Sequence, residues 1–274
     1  MTELPLREKT FDTGTLHLNY AEVPANGAPL VLLHGATSRW QRYQKMISAL
    51  VSHWHVYACD LRGHGKSGRD ENRYHLTDYA SDIIALLQNR IPEPAVLVGH
   101  SLGALTALAV AAFAPQNVRA LVLLDPPLYL RNASVGTMPG ARAWFQTVHD
   151  TTSRAQSYDD VVAAVRRMMP QASDAQVQMS AQTMFGVAPG ATRILLNDEL
   201  LQGFDLAQAL EHIACPTLLL YGDWNAGAAT RDEDAAFVRA HKPDTVIVKL
   251  AGANHQLPDE RTEDVLREMN KFLK

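Results

Sequence analysis

The segment of this sequence with the plainest capacity for chemistry is Gly99-His100-Ser101-Leu102-Gly103. It follows the apolar run Ala95-Val96-Leu97-Val98 and leads into a helical stretch that starts near Leu102, so its G-x-S-x-G spacing falls on a strand-to-helix turn. Two glycines let the backbone turn sharply without Cβ clashes and lift the Ser101 hydroxyl above a sheet edge. The amino end of the following helix then favours the negative charge of an oxyanion. A serine hydroxyl is a poor nucleophile at neutral pH, so a base must take its proton during attack, and histidine is the natural candidate. Of the eleven histidines, His34, His64 and His100 belong to turn motifs and read as backbone-bonded structural groups. His53 and His55 flank Trp54 at a spacing a metal could use, but no acidic or thiol neighbour completes a ligand set.

A nucleophile on such a turn must be held by a sheet. Val31-Leu32-Leu33, Val56-Tyr57-Ala58-Cys59, Ala95-Val96-Leu97-Val98 and Leu121-Val122-Leu123-Leu124 are short apolar runs, each ending at Gly, His or Asp, as strands buried on both faces do. Helical spacing lies between them: Tyr79, Ile83, Ile84 and Leu87 share one face. The strand, helix, strand alternation predicts an α/β fold, a mostly parallel twisted sheet with helices on both faces and function at the carboxyl ends of its strands. Residues 9–23 alternate more loosely and predict an antiparallel edge hairpin. After Asp125 the pattern becomes helical and rich in Met, Ala and Gln, until strand signal returns at Thr217-Leu218-Leu219-Leu220-Tyr221 and Thr245-Val246-Ile247-Val248. The expected organisation is a core domain of residues 1–126 and 209–274 with a helical cap, 127–208, inserted between its halves.

At this point the chain resembles the α/β-hydrolase superfamily over almost its whole length, in the capped, serine-esterase-like branch. Four segments carry the resemblance: His34-Gly35, the run Asp60-Leu61-Arg62-Gly63-His64-Gly65-Lys66-Ser67, the serine turn, and Ala251-Gly252-Ala253-Asn254-His255. It implies the α/β-hydrolase fold and an acyl-enzyme on Ser101, since haloalkane dehalogenases and epoxide hydrolases carry aspartate at the nucleophile position. The order serine, acid, histidine makes His255 the base, after the final strand. By the family pattern the oxyanion hole consists of the backbone N–H groups of Leu102 and Ala36, with Thr37 the alternative to Ala36.

The acid departs from the common pattern. Many relatives place it in a G-x-x-D sequence after the next-to-last strand, where this chain has Gly222-Asp223-Trp224-Asn225, and an amide cannot stabilise an imidazolium as a carboxylate does. Asp125 ends the run 121–124, twenty-four positions after Ser101, as the acid does in some haloalkane dehalogenases and zearalenone-hydrolase-like enzymes. Asp125 is therefore the expected acid, with Asp223 second. The run 60–67 reads as scaffold, a glycine turn in which Asp60 or Ser67 bonds backbone amides.

Composition limits the rest. The 274 residues are 47% hydrophobic and 20% charged, with a formal net charge of -4, values of an ordinary globular protein without the basic stripe that nucleic acid requires. The first nine residues mix both charge signs and lack the apolar stretch of a secretory signal, and the longest apolar tract, 102–115, is too short to span a bilayer. Cys59 and Cys215 sit in or beside apolar runs and read as reduced, buried thiols, consistent with a cytoplasmic location. Trp40, Met138, Trp144, Phe145, Met168, Met169, Met184 and Phe185 are candidates for an apolar acyl pocket. The expectation is a monomeric or small homo-oligomeric hydrolase that cleaves a carboxylic ester of a small, largely apolar molecule. No cofactor, metal, nucleic-acid partner or membrane is implied. The alternatives are C–C bond hydrolysis, lactone opening or perhydrolysis by the same three residues, and a ligand-binding protein on a hydrolase scaffold.

Overall fold

In the computed structural model, which describes residues 6–23 and 27–274, the apolar runs become the strands of one sheet. Residues 1–5, part of the stretch read for a secretory signal, lie outside the described residues. The strands are β1 (Arg7–Asp12), β2 (His17–Val23), β3 (Pro29–Leu33), β4 (His55–Cys59), β5 (Ala95–His100), β6 (Val118–Leu124), β7 (Thr217–Tyr221) and β8 (Val246–Lys249). They form an eight-stranded sheet in the order β1-β2-β4-β3-β5-β6-β7-β8. β1 and β2 are the expected antiparallel edge hairpin, and β2 also runs antiparallel to β4. Every other pairing is parallel.

The period of two along each strand divides the core between the two faces. Val31, Leu33, Leu97, Leu121 and Leu219 point into one apolar cluster, and their neighbours Leu30, Leu32, Val98, Val122 and Leu220 into the other. The helices are α1 (Gln44–Leu50), α2 (Leu76–Arg90), α3 (Leu102–Phe113), α4 (Ala141–Arg154), α5 (Tyr158–Met168), α6 (Asp174–Phe185), α7 (Pro189–Leu196), α8 (Leu206–His212), α9 (Asp232–His241), α10 (Leu257–Glu260) and α11 (Thr262–Phe272). On the first face Tyr79, Ile83, Leu86 and Leu87 of α2 pack with α3, α8 and α9; on the second, Met46 and Ile47 of α1 pack with Val265 and Met269 of α11. α3 is the apolar tract that was too short for a membrane, and all its residues from Leu102 to Ala111 are buried. Among the described residues no helix is long and apolar enough to cross a membrane.

Between β6 and β7 the chain inserts α4 to α7. Ser157 caps α5 and Ser173 caps α6, each in a reciprocal box with the residue three positions on. Val148, Val161, Val165, Val177, Ala181 and Met184 give α4, α5 and α6 a small apolar cluster of their own, whereas Ala191, Ile194 and Leu195 of α7 join the sheet-side cluster. α8 begins within residues 127–208, yet its Leu206, Ala209 and Leu210 pack into the sheet-side cluster.

The chain starts the parallel part of the sheet at β3, moves to β4 on one side, and then continues from β5 on the other side. The carboxyl ends of β3 and β5 thus sit at a switch in winding direction, where the following loops diverge and leave a crevice. Leu33 is in register with Gly99, and His100 with Leu124, so the loops after β3, β5 and β6 emerge side by side.

Candidate active site

Ser101 stands at the crevice between β5 and α3 with φ 53 and ψ −117, a conformation costly for any residue with a Cβ. Close packing over-determines the turn. A Cβ on Gly99 would lie 2.2 Å from the carbonyl oxygen of Gly103, and one on Gly103 would lie 2.1 Å from that of Leu33. The Ser101 amide continues the sheet ladder by donating to Leu124 O at 3.0 Å. Its side chain is therefore carried on a rigid support.

His255 follows β8, in the loop before α10. Its Nε2 lies 3.0 Å from Ser101 Oγ and its Nδ1 2.7 Å from Asp125 Oδ2. Asp125 is fully buried at the end of β6, with φ 48. Besides His255, its carboxylate accepts backbone N–H bonds from Ala229 (2.7 Å), Thr230 (3.1 Å) and Gly222 (3.4 Å). The loop after β7, where the commoner pattern would put the acid, here supplies the amides that hold Asp125. Asp223 instead turns to its own loop and accepts from the amide of Asn225 at 3.3 Å. Among the described residues it makes no hydrogen bond to His255. The amide cradle was not foreseen, because no local pattern in residues 222–230 marks a group whose partner lies about a hundred positions earlier.

The three turn histidines bond to backbone. His34 Nδ1 donates to Gly35 O (2.7 Å) and its Nε2 accepts from the Leu61 amide (3.0 Å). His64 Nδ1 donates to Arg62 O (2.9 Å) and its Nε2 accepts from the Thr37 amide (3.2 Å). Burial holds both rings neutral, lowering His34 from 6.5 to about 4 and His64 from 6.5 to about 3. His100 is also driven far below its ordinary value by burial, and its Nε2 donates to His255 O at 2.7 Å, which fixes the loop carrying His255.

These bonds also bear on the candidate oxyanion donors. The Thr37 amide is occupied by His64, whereas the amides of Ala36 and Leu102 have no acceptor among the described residues. Both residues line the crevice beside Ser101. Thr37, with φ 58, also receives a 3.1 Å bond on Oγ1 from Trp144 Nε1 of α4, which ties the loop after β3 to the inserted helices. The run 60–67 is bonded as expected: buried Asp60 accepts from the amides of Trp40 (2.8 Å) and Lys66 (3.0 Å), and Ser67 Oγ accepts from that of Asn19 (2.9 Å).

Ser101 and His255 open into a cavity of about 600 Å³. Its far wall comes from the insertion, with Tyr129, Met138, Trp144, Phe145 and Leu195 among the lining residues. Met168, Met169 and Met184 line a neighbouring groove of about 410 Å³ that shares Thr37, Trp144 and Gln256 with the first. Two pocket candidates lie elsewhere. Trp40 is buried in the core with its indole N–H on Glu8 at 2.8 Å, and Phe185 is exposed with its ring against Tyr158. The sequence reading missed Arg42, which lines the cavity. Cys59 and Cys215 are free and buried, and among the described residues no group of three or more His, Cys, Asp or Glu side chains is placed to hold a metal ion.

Residues 30–268 match the model of a family described as the Alpha/beta hydrolase family. Among curated proteins, the chain is 25% identical to the 2-(acetamidomethylene)succinate hydrolase of Mesorhizobium japonicum, over 96% of this chain and 93% of that protein. It is 30% identical to the pimeloyl-[acyl-carrier protein] methyl ester esterase of Vibrio campbellii, over 72% of this chain and 76% of that protein. Among solved structures, an E-2-(acetamidomethylene)succinate hydrolase superposes with a TM-score of 0.75 at 23% identity, covering 98% of this chain and 99% of the other.

Proposed function

From the premise that the chain belongs to the alpha/beta hydrolase family, we propose that it is a serine hydrolase that cleaves a carboxylic ester of a small, largely apolar substrate through an acyl-enzyme on Ser101. The observation that carries this reading is the hydrogen-bonded line from Ser101 Oγ through both nitrogens of His255 to the buried carboxylate of Asp125. In this reading residues 127–208 are the cap over a core of 1–126 and 209–274.

The geometry supports the following course of reaction. His255 Nε2 takes the Ser101 proton as Oγ attacks the carbonyl carbon, and the carbonyl oxygen becomes an oxyanion facing the N–H groups of Ala36 and Leu102. The imidazolium so formed is stabilised by the Asp125 carboxylate, which is held in place by the backbone amides of Ala229 and Thr230. His255 then protonates the leaving oxygen, the C–O bond breaks, and the acyl group remains on Ser101. A water enters, His255 takes its proton, the hydroxide attacks the acyl carbon, and the returning proton frees the serine.

The two relatives are a methyl ester esterase and a hydrolase of 2-(acetamidomethylene)succinate, and acyl transfer to serine serves either bond. The apolar lining around Ser101 supports an ester with an apolar body. Hydrolysis of p-nitrophenyl esters from acetate to decanoate tests the reading. Wild-type protein is expected to turn over at least part of the series, and Ser101→Ala to lose at least a thousandfold. Tight binding of esters without turnover by the wild type would instead support the ligand-binding alternative.

A further inference from the structure

Arg42 is the one Lys or Arg among the described residues that line the Ser101 cavity, and no Asp or Glu is among them. It sits in the short 3-10 turn Trp40–Tyr43, just after the loop that carries Ala36 and Thr37. Its side chain is only 13% exposed. One end of the guanidinium is fixed: Nη2 donates to Gln256 Oε1 and pairs with Asp259 at 2.5 Å. Gln256 follows His255 directly and also lines the cavity, so the cation is anchored to the loop that carries the base. Its Nε, by contrast, is buried and has no acceptor among the described residues.

A buried guanidinium N–H without an acceptor is costly, and the cost falls when an oxygen fills the position. A neutral apolar substrate offers that donor no partner. A carboxylate matches the planar fork of donors and the charge together, and such charge-assisted bonds are about twice as strong as neutral ones. Asp259 offsets the charge only in part, because it is 45% exposed and water screens it. The anchoring by Gln256 and Asp259 means that little side-chain freedom is lost when an anion binds.

We propose that Arg42 is a carboxylate-binding residue of this cavity, and that the natural substrate carries a carboxylate in addition to the acyl bond presented to Ser101. The inference rests on the hydrolase reading and gives the largely apolar substrate one charged end.

Two kinds of measurement test it, one of which does not need turnover. The first compares kcat/KM within shape-matched ester pairs: phenyl hydrogen adipate against phenyl 6-methylheptanoate, with the carboxylate on the acyl side, and 3-carboxyphenyl hexanoate against 3-isopropylphenyl hexanoate, with it on the leaving side. Wild-type protein is expected to prefer the carboxylate member of at least one pair by tenfold or more. In Arg42→Gln that member should fall at least ten times further than its neutral partner, and Arg42→Lys should restore part of the difference. The second measures binding of adipate and 3-hydroxybenzoate to Ser101→Ala by calorimetry, with and without Arg42→Gln. At least one acid should bind, and the Arg42 change should weaken it tenfold or more. Equal losses on both members of each pair, or preference for the neutral member in both, would overturn the proposal and leave Arg42 a structural tie between the turn at 40–43 and α10. If no ester is turned over but an acid binds through Arg42, the hydrolase reading fails and the carboxylate site stands. If esters are turned over and neither acid binds, the reverse holds.

Discussion

Asp125 and Asp223 are close in sequence pattern to two different ways of building the same site, and their surroundings separate them. Asp125 has no exposure, bonds His255 Nδ1 at 2.7 Å and collects amides from the loop after β7. Asp223 spends its carboxylate on the turn at Asn225. Asp125→Asn is therefore expected to lower kcat on a p-nitrophenyl ester by roughly 10³–10⁴-fold, because an amide does not stabilise the imidazolium and its NH2 would face N–H donors. Asp223→Asn should change kcat less than about threefold. The reverse ranking would move the acid to Asp223. The local geometry of the candidate site was legible: the turn at Ser101 is marked by its flanking glycines, whose close contacts with Leu33 and Gly103 leave no room for a Cβ. Arg42 was not legible, since an arginine in a polar segment is ordinarily a solvated side chain, and only the approach of residues 254–259 to the turn at 40–43 gives it a role.

At the scale of elements, the sheet could be read because buried parallel strands leave continuous apolar runs such as Leu30-Val31-Leu32-Leu33, and the expected edge hairpin appears as β1 and β2. α3 was equally plain, an apolar tract opening at the serine turn and buried nearly throughout. What remained hidden was where the inserted helices lie over the sheet. Helical periodicity identifies α5, but not which of its neighbours share its cluster, nor that Trp144 of α4 reaches Thr37. Met168 and Met169 for that reason line the groove beside the Ser101 cavity and not the cavity itself. Of the four non-glycine residues with positive φ among the described residues, Thr37, Ser101 and Asp125 lie in the segments that follow β3, β5 and β6, and the fourth, Asp198, follows α7.

For the molecule as a whole, the buried histidines link folding to pH. His34 and His64 titrate near 6.5 when unfolded but near 4 and 3 when folded, so between those values the unfolded chain binds protons that the folded chain does not. Stability is then fully present above about pH 6.5 and is lost as pH falls, by about 2 kcal/mol per histidine between pH 7 and 5. The urea midpoint should drop over that interval, and His64→Gln, whose amide oxygen can still accept from Thr37 without titrating, should flatten the profile; a midpoint that is constant or rises on acidification would contradict this. Covalent labelling with a fluorophosphonate, read by intact mass and peptide mapping, tests the nucleophilic role of Ser101 most directly. One adduct is expected, located on Ser101, formed slowly or not at all after His255→Ala. Labelling at another residue, or none while esters are being hydrolysed, would contradict it.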